Sequence, residues 1–157
     1  PPPPPQAPPA CDVLGEQDAV TIHGKKIPFP ATRQQMVDAL GEPDRTLDLA
    51  NTIFVWDKLG IYAYRYPDRD VVHDISFAVG DEDYKFIPKT KFKGSIGVLE
   101  ARFSTTSDLK EILKQGFVEE TILPDMYRRD FPPHGATFAW DPEAKKMIRF
   151  TVTLLNP

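Results

Sequence analysis

A four-residue phrase occurs twice in this chain. Phe54-Val55-Trp56-Asp57 returns as Phe138-Ala139-Trp140-Asp141, and the two copies hold the only two tryptophans. A matched run follows each copy, Ile75-Ser76-Phe77-Ala78-Val79 and Ile148-Arg149-Phe150-Thr151-Val152. A Phe leading into a Thr- or Ser-capped helical stretch precedes each, Phe29 before Thr32 and Phe103 before Thr106. Phe29 and Phe103 stand 74 apart, Trp56 and Trp140 84, Ile75 and Ile148 73. Self-similarity on this scale predicts one α/β unit built twice. A duplicated unit with no catalytic set in it points to a surface made for binding.

The local signals fill in that frame. Pro1 to Pro9 holds seven prolines in nine residues. Such a run prefers extended polyproline II, so residues 1–12 read as a stiff, disordered tether. Residues 13–80 form the first expected unit. Thr32 caps a helix over residues 33–40, with Met36, Val37 and Leu40 on one face, and Gly41 and Pro43 stop it. Strands over 52–57, 61–66 and 71–79 follow. Residues 81–93 are polar and charged and read as the connection, with Tyr84, Phe86 and Ile87 as residues that could pack locally. Residues 94–157 form the second unit, with a strand over 94–103, a helix over 107–115 capped by Thr105 or Thr106, and a hairpin of 136–141 with 146–154. Pro124 to Gly135 reads as a long loop. The expected fold is α+β, a tandem repeat of a helix packed on a mostly antiparallel sheet, with the other sheet face left to solvent or a partner.

Charge narrows the partners. The net charge is −4, whereas a nucleic-acid backbone calls for a basic face. No run of 18 apolar residues occurs to span a membrane. Cys11 is the single cysteine, so neither an internal disulfide nor a cysteine metal site can form. Ala10 at −1 suits lipidation of Cys11, but Pro8 replaces the usual Leu at −3; a lipid anchor upstream of Pro1 is the expectation.

The chemistry-bearing residues are scattered. His23, His73 and His134 have no metal-like spacing, and His134, between Pro133 and Gly135, reads as an exposed loop residue. Asp81-Glu82-Asp83 lacks the Gly and distal Glu of a calcium loop. No nucleophile elbow, P-loop or dinucleotide turn occurs. The expectation is no catalytic residue, no metal and no cofactor. Each Trp of the repeated phrase reads as core, and each Asp as the cap of the next turn.

A resemblance adds a function. A helix ending in Leu40-Gly41-Glu42-Pro43 and followed by aromatic-bearing strands resembles the β-lactamase-inhibitor proteins, which also have two tandem α/β units, and the small outer-membrane-assembly lipoproteins. Gly41-Glu42-Pro43-Asp44-Arg45, with Val55 to Ile61, more closely resembles a family of small exported bacterial proteins. Its members look like immunity proteins encoded beside secreted toxins, including lipase effectors of type VI secretion. The likeness covers about Val20 to Val79; the second copy has Pro142 in place of Lys58 and no Leu-Gly-Ile. The resemblance implies a non-enzymatic periplasmic protein, lipid-anchored and monomeric when free, that occludes a protein toxin of the envelope such as a phospholipase. An outer-membrane-assembly or scaffold lipoprotein is the alternative.

Two places could supply the contacts. Tyr62, Tyr64 and Tyr66 alternate on one strand with Arg65 opposite, beside Asp68 in the next turn, a pattern that serves a core edge or an interface equally. Tyr127, Arg128 and Arg129 lie in the Pro-bounded segment and are typical anchor residue types. These eight are the candidate partner-binding residues.

Overall fold

The computed structural model describes residues 2–4 and 11–155. Most of the expected tether therefore lies outside the described residues. Asp12, its last residue, belongs to the fold. Its carboxylate accepts the Ser95 N–H at 2.8 Å and its carbonyl accepts the His23 N–H at 2.8 Å.

Strands β1 (Val13–Gly15), β2 (Ala19–Ile22) and β3 (Lys25–Pro28) come first. Helix α1 (Arg33–Leu40) begins as the sequence predicts. Thr32 Oγ1 accepts the Gln35 N–H at 3.2 Å while Gln35 Oε1 accepts the Thr32 N–H at 2.9 Å, a reciprocal box that satisfies two otherwise orphaned donors. Strands β4 (Arg45–Asp48), β5 (Thr52–Trp56), β6 (Ile61–Arg65) and β7 (Val72–Ala78) form an antiparallel meander. The hairpin of β8 (Ser95–Val98) and β9 (Ala101–Ser104) leads into a one-turn helix, α2 (Leu109–Leu113). A second meander follows, β10 (Val118–Glu119), β11 (Met126–Phe131), β12 (His134–Asp141) and β13 (Lys146–Leu154).

These strands make two sheets. One has five strands in the order β3-β2-β1-β8-β9, and the other eight, β10-β11-β12-β13-β7-β6-β5-β4. The expected α+β tandem repeat is wrong. Strand accounts for 45% of the chain and helix for 9%, and the architecture is β-sandwich-like. The reason is area. Helices of eight and five residues cannot cover an eight-stranded sheet, so the second sheet does most of it. One apolar core joins both sheets, with Val20, Ile22, Ile96 and Phe103 from the smaller and Phe54, Phe77, Phe138 and Phe150 from the larger. Met36 and Ile112 add the helices to the same core.

The repeated phrase also misled on equivalence. Two strands, a short helix and a four-strand meander do recur in order. Trp56, however, closes the second strand of its meander, while Trp140 lies on the third of its own. Both are buried in the core, as expected of each alone. The two halves also share both sheets, through β1 with β8 and β7 with β13.

Candidate functional site

The eight-stranded sheet turns one face to the core and the other outward. Register fixes which residues point out, because residues paired across neighbouring strands share a face. One outward row runs Arg45, Val55, Tyr62, Ser76, Thr151, Thr137, Arg128 and Val118. Beside it run Tyr64, Asp74 and Thr153 on one side, and Ala78, Arg149, Ala139 and Met126 on the other. The face changes character midway. Over β4 to β6 it is apolar; over β7, β13, β12 and β11 it is hydroxyl-rich and charged.

The apolar half is covered by the chain itself. Phe86 and Ile87 pack on Leu47, Ile53, Val55, Tyr62 and Ala78 as a second, smaller core. Residues 81–93, expected as a connection with Tyr84, Phe86 and Ile87 packing locally, form a strap whose Phe86 and Ile87 do pack, but on the outer face of the sheet, and Asp57 is its anchor. Asp57 accepts two hydrogen bonds from the Arg45 guanidinium, at 2.9 and 3.0 Å, and one from the Lys89 N–H at 3.0 Å. Arg45 donates onward to the Lys85 and Ile87 carbonyls at 2.7 and 3.2 Å. Burial alone would push the Asp57 carboxyl up, but the bonds from Arg45 and Lys89 hold it below the usual carboxylate range. At the strap's end the Phe92 backbone crosses Gly60 (φ 73) so closely that a Cβ would collide with it. Arg149 and Glu82 pair at the boundary with the open half. Burial pushes the Glu82 carboxyl up, with Arg149 opposing it.

At that boundary lies a depression of about 360 Å³. Tyr64, Tyr84 and Phe86 form its aromatic side, and Asp74, Ser76, Thr137, Arg149 and Thr151 its polar side. Phe86 meets Tyr64 edge-on at 6.0 Å and stacks parallel to Tyr84 at 5.3 Å. The Ser76 and Thr151 hydroxyls bond at 2.8 Å. Asp74 accepts the Thr153 hydroxyl and lies 3.5 Å from His73 Nδ1.

The eight sequence candidates separate on this frame. Tyr62, 1% exposed, lies under Phe86, and burial pushes its phenol up. Tyr64 is half-buried and lines the depression. Arg65, on the opposite side of the strand from Tyr64, lies over the Phe54 ring, 5.2 Å from its centroid, and 3.6 Å from Asp70. Tyr66 stacks on His73 at 4.2 Å, with the Arg69 guanidinium 4.0 Å from its ring centre. Asp68 is exposed in the turn, 3.8 Å from Arg69.

The other three candidates are not on a loop, as the sequence reading had it. Met126–Phe131 is strand β11, closed by a tight Pro132-Pro133 turn. Tyr127 is 7% exposed and stacks on Phe138 at 4.9 Å, so it packs the core. Arg129 donates to the Gln115 carbonyl at 2.9 Å and to Glu100 at 2.8 Å. Arg128 alone of the three stands on the open face, held by Asp130 at 2.7 Å and Glu120 at 3.1 Å. The sequence reading missed Asp74, Ser76, Thr137, Arg149 and Thr151. The alternation of Arg149, Thr151 and Thr153 with Phe150 and Val152 was the available signal.

The histidines also differ from expectation in one case. His134 is fully buried, not a loop residue. Its Nδ1–H donates to the Glu16 carbonyl at 2.9 Å and its ring meets Phe29 edge-on. Among the described residues no group of three His, Cys, Asp or Glu side chains could hold a metal ion, and no helix is long and apolar enough to cross a membrane.

Residues 13–113 match the family model described as a domain of unknown function, DUF7738. The chain belongs to the DUF7738 family. The DUF7738 match takes in the five-stranded sheet, both helices and the meander β4–β7; β10 to β13 lie beyond it. Neither a curated protein nor a solved structure matches the chain.

Proposed function

We propose that this is a non-enzymatic immunity-type protein of the bacterial envelope, and that the open half of the eight-stranded sheet docks the toxin it neutralises. The observation carrying this reading is the division of the outer face. A sheet with one face on the core leaves the other to water, and here, among the described residues, the strap covers only the apolar part. The remaining part is built on four adjacent strands, with Ser76 and Thr151 sunk between larger side chains. Its charged groups are fixed in place, Arg128 by Asp130 and Glu120 and Arg149 by Glu82. Arg and Met, residue types enriched at interface centres, meet there in Arg128, Arg149 and Met126, with Tyr64 at its boundary. Fixed side chains lose little freedom on association, which favours affinity.

The resemblance of Gly41 to Ile61 to exported immunity proteins supports a protein toxin as the partner, of the phospholipase class, met in the periplasm by a lipid-anchored chain. The test is calorimetric binding to the toxin encoded beside this chain, using Thr137→Arg, Arg128→Ala and Tyr64→Ala. Each is expected to weaken binding about thirtyfold or more while the variant keeps a cooperative thermal transition. Wild-type binding by all three folded variants would refute the docking face. Failure of the wild-type chain to bind or inhibit that toxin would refute the immunity role.

A further inference from the structure

The depression at the strap boundary has the make-up of a small-ligand site, apart from any protein that docks on the sheet. At about 360 Å³ it lies within the usual range of ligand pockets, at the small end. It has room for one ring-sized group. Its walls are of two kinds, aromatic on the strap side and polar on the sheet side.

Charge decides what can enter. A cation would approach Arg149, and an anion would approach Asp74 and Glu82, so neither is favoured throughout. A neutral group avoids both penalties. The polar side also offers both directions of hydrogen bonding. Arg149 only donates and the Asp74 carboxylate only accepts, while hydroxyls do either. Arg149 bonds Glu82 and the Tyr62 hydroxyl, and its Nη2 also reaches the Met126 sulfur at 4.0 Å, a weak acceptor that a ligand oxygen would improve on. Among the described residues the Thr137 hydroxyl has no partner. The lining therefore favours a ligand without net charge, able to donate and accept at several points, with an apolar face for the rings. Pyranose sugars have that combination, with hydroxyls around the rim and C–H bonds on the faces. Tyr84, 59% exposed and stacked on Phe86, supplies an aromatic surface reachable from solvent.

We propose that this depression binds one neutral saccharide unit, with Tyr84 as stacking surface, Asp74 as acceptor, and Arg149 and Thr137 as donors. The site is a property of the free chain and does not depend on a toxin.

The experiment is amide NMR titration of the whole chain with glucose, galactose and N-acetylglucosamine. Tetramethylammonium chloride and sodium phosphate serve as charged comparators. At least one sugar should give saturable shifts confined to the neighbourhood of Tyr64, Tyr84, Thr137 and Arg149, with a millimolar dissociation constant. Tyr84→Ala and Thr137→Val should each weaken it about tenfold without changing the melting temperature. No saturable shift from any sugar up to about 100 mM overturns the proposal. So does tighter binding of either charged probe at the same residues, or a sugar affinity that both variants leave intact.

Discussion

Asp57 and Asp141 hold the same place in the repeated phrase and do different work. Asp141 caps the turn after β12, accepting the Glu143 and Ala144 N–H groups at 3.0 and 3.1 Å. Asp57 ties the strap to the sheet. Hydrogen bonds to charged groups contribute about 1.5–3 kcal/mol each, less where water reaches them. Asp57→Asn should therefore cost roughly 2 kcal/mol at pH 7 by urea unfolding. The folded carboxyl titrates below its unfolded value, so this stabilisation is present above about pH 4 and fades as pH falls through the folded value. The gap between wild type and Asp57→Asn should narrow over that acid window. Trp56→Ala and Trp140→Ala should each cost about 3–5 kcal/mol; a loss under about 1 kcal/mol would mean a tryptophan that packs nothing. Burial of the tryptophans was legible because large apolar side chains seldom have another place to go. The Asp57 anchor was not, because Arg45 and Lys89 lie 12 and 32 positions away and nothing local marks them as partners.

Elements with local signals were read well. Thr32, Gln35 and Gly41 fix both ends of α1 within the first helical turn and the last. Thr32→Ala should cost about 1 kcal/mol, measurable as a lower urea midpoint. Strands β5, β6 and β7 fell within a residue or two of expectation, since their core-facing residues are large and regularly spaced. Strand β11 was lost for a physical reason. Its outward side is Met126, Arg128 and Asp130, and Arg129 interrupts the inward side between Tyr127 and Phe131. With polar groups on both faces and prolines at its ends, it reads as a loop, although it pairs with β12 along its whole length. In the strap, Phe86 and Ile87 were legible as residues that pack, but the face they cover was not, because the strands beneath them lie far off in sequence. Phe86→Ala should cost roughly 1–2 kcal/mol, below the full cost for a buried ring because Phe86 is half-exposed. It should also raise binding of an apolar dye, since Tyr62 and Val55 lose their cover.

At the scale of the molecule, the candidate docking face was half legible. The Tyr64 side was, but the polar half was not, because hydroxyl and Arg residues alternating with core residues look like any solvated strand. The pooling of strands between sheets left no local trace at all. It makes the two halves interdependent. Residues 11–93 and 94–157, prepared separately, should each lack cooperative unfolding by circular dichroism and regain it when mixed or joined. Independent melting of either piece would count against that interdependence. The parallel pairing of β1 with β8 also bears on how the chain emerges from the ribosome. Asp12 and Ser95, bonded at the end of that pair, are 83 positions apart. At about 5–20 residues per second, β1 is synthesised roughly 4–17 s before its neighbour exists. Throughout that interval the smaller sheet has only β2 and β3 to offer, and one edge of β1 stays open to the wrong strand. Anything that keeps β1 apart from other chains during that interval protects the edge until β8 arrives to cover it.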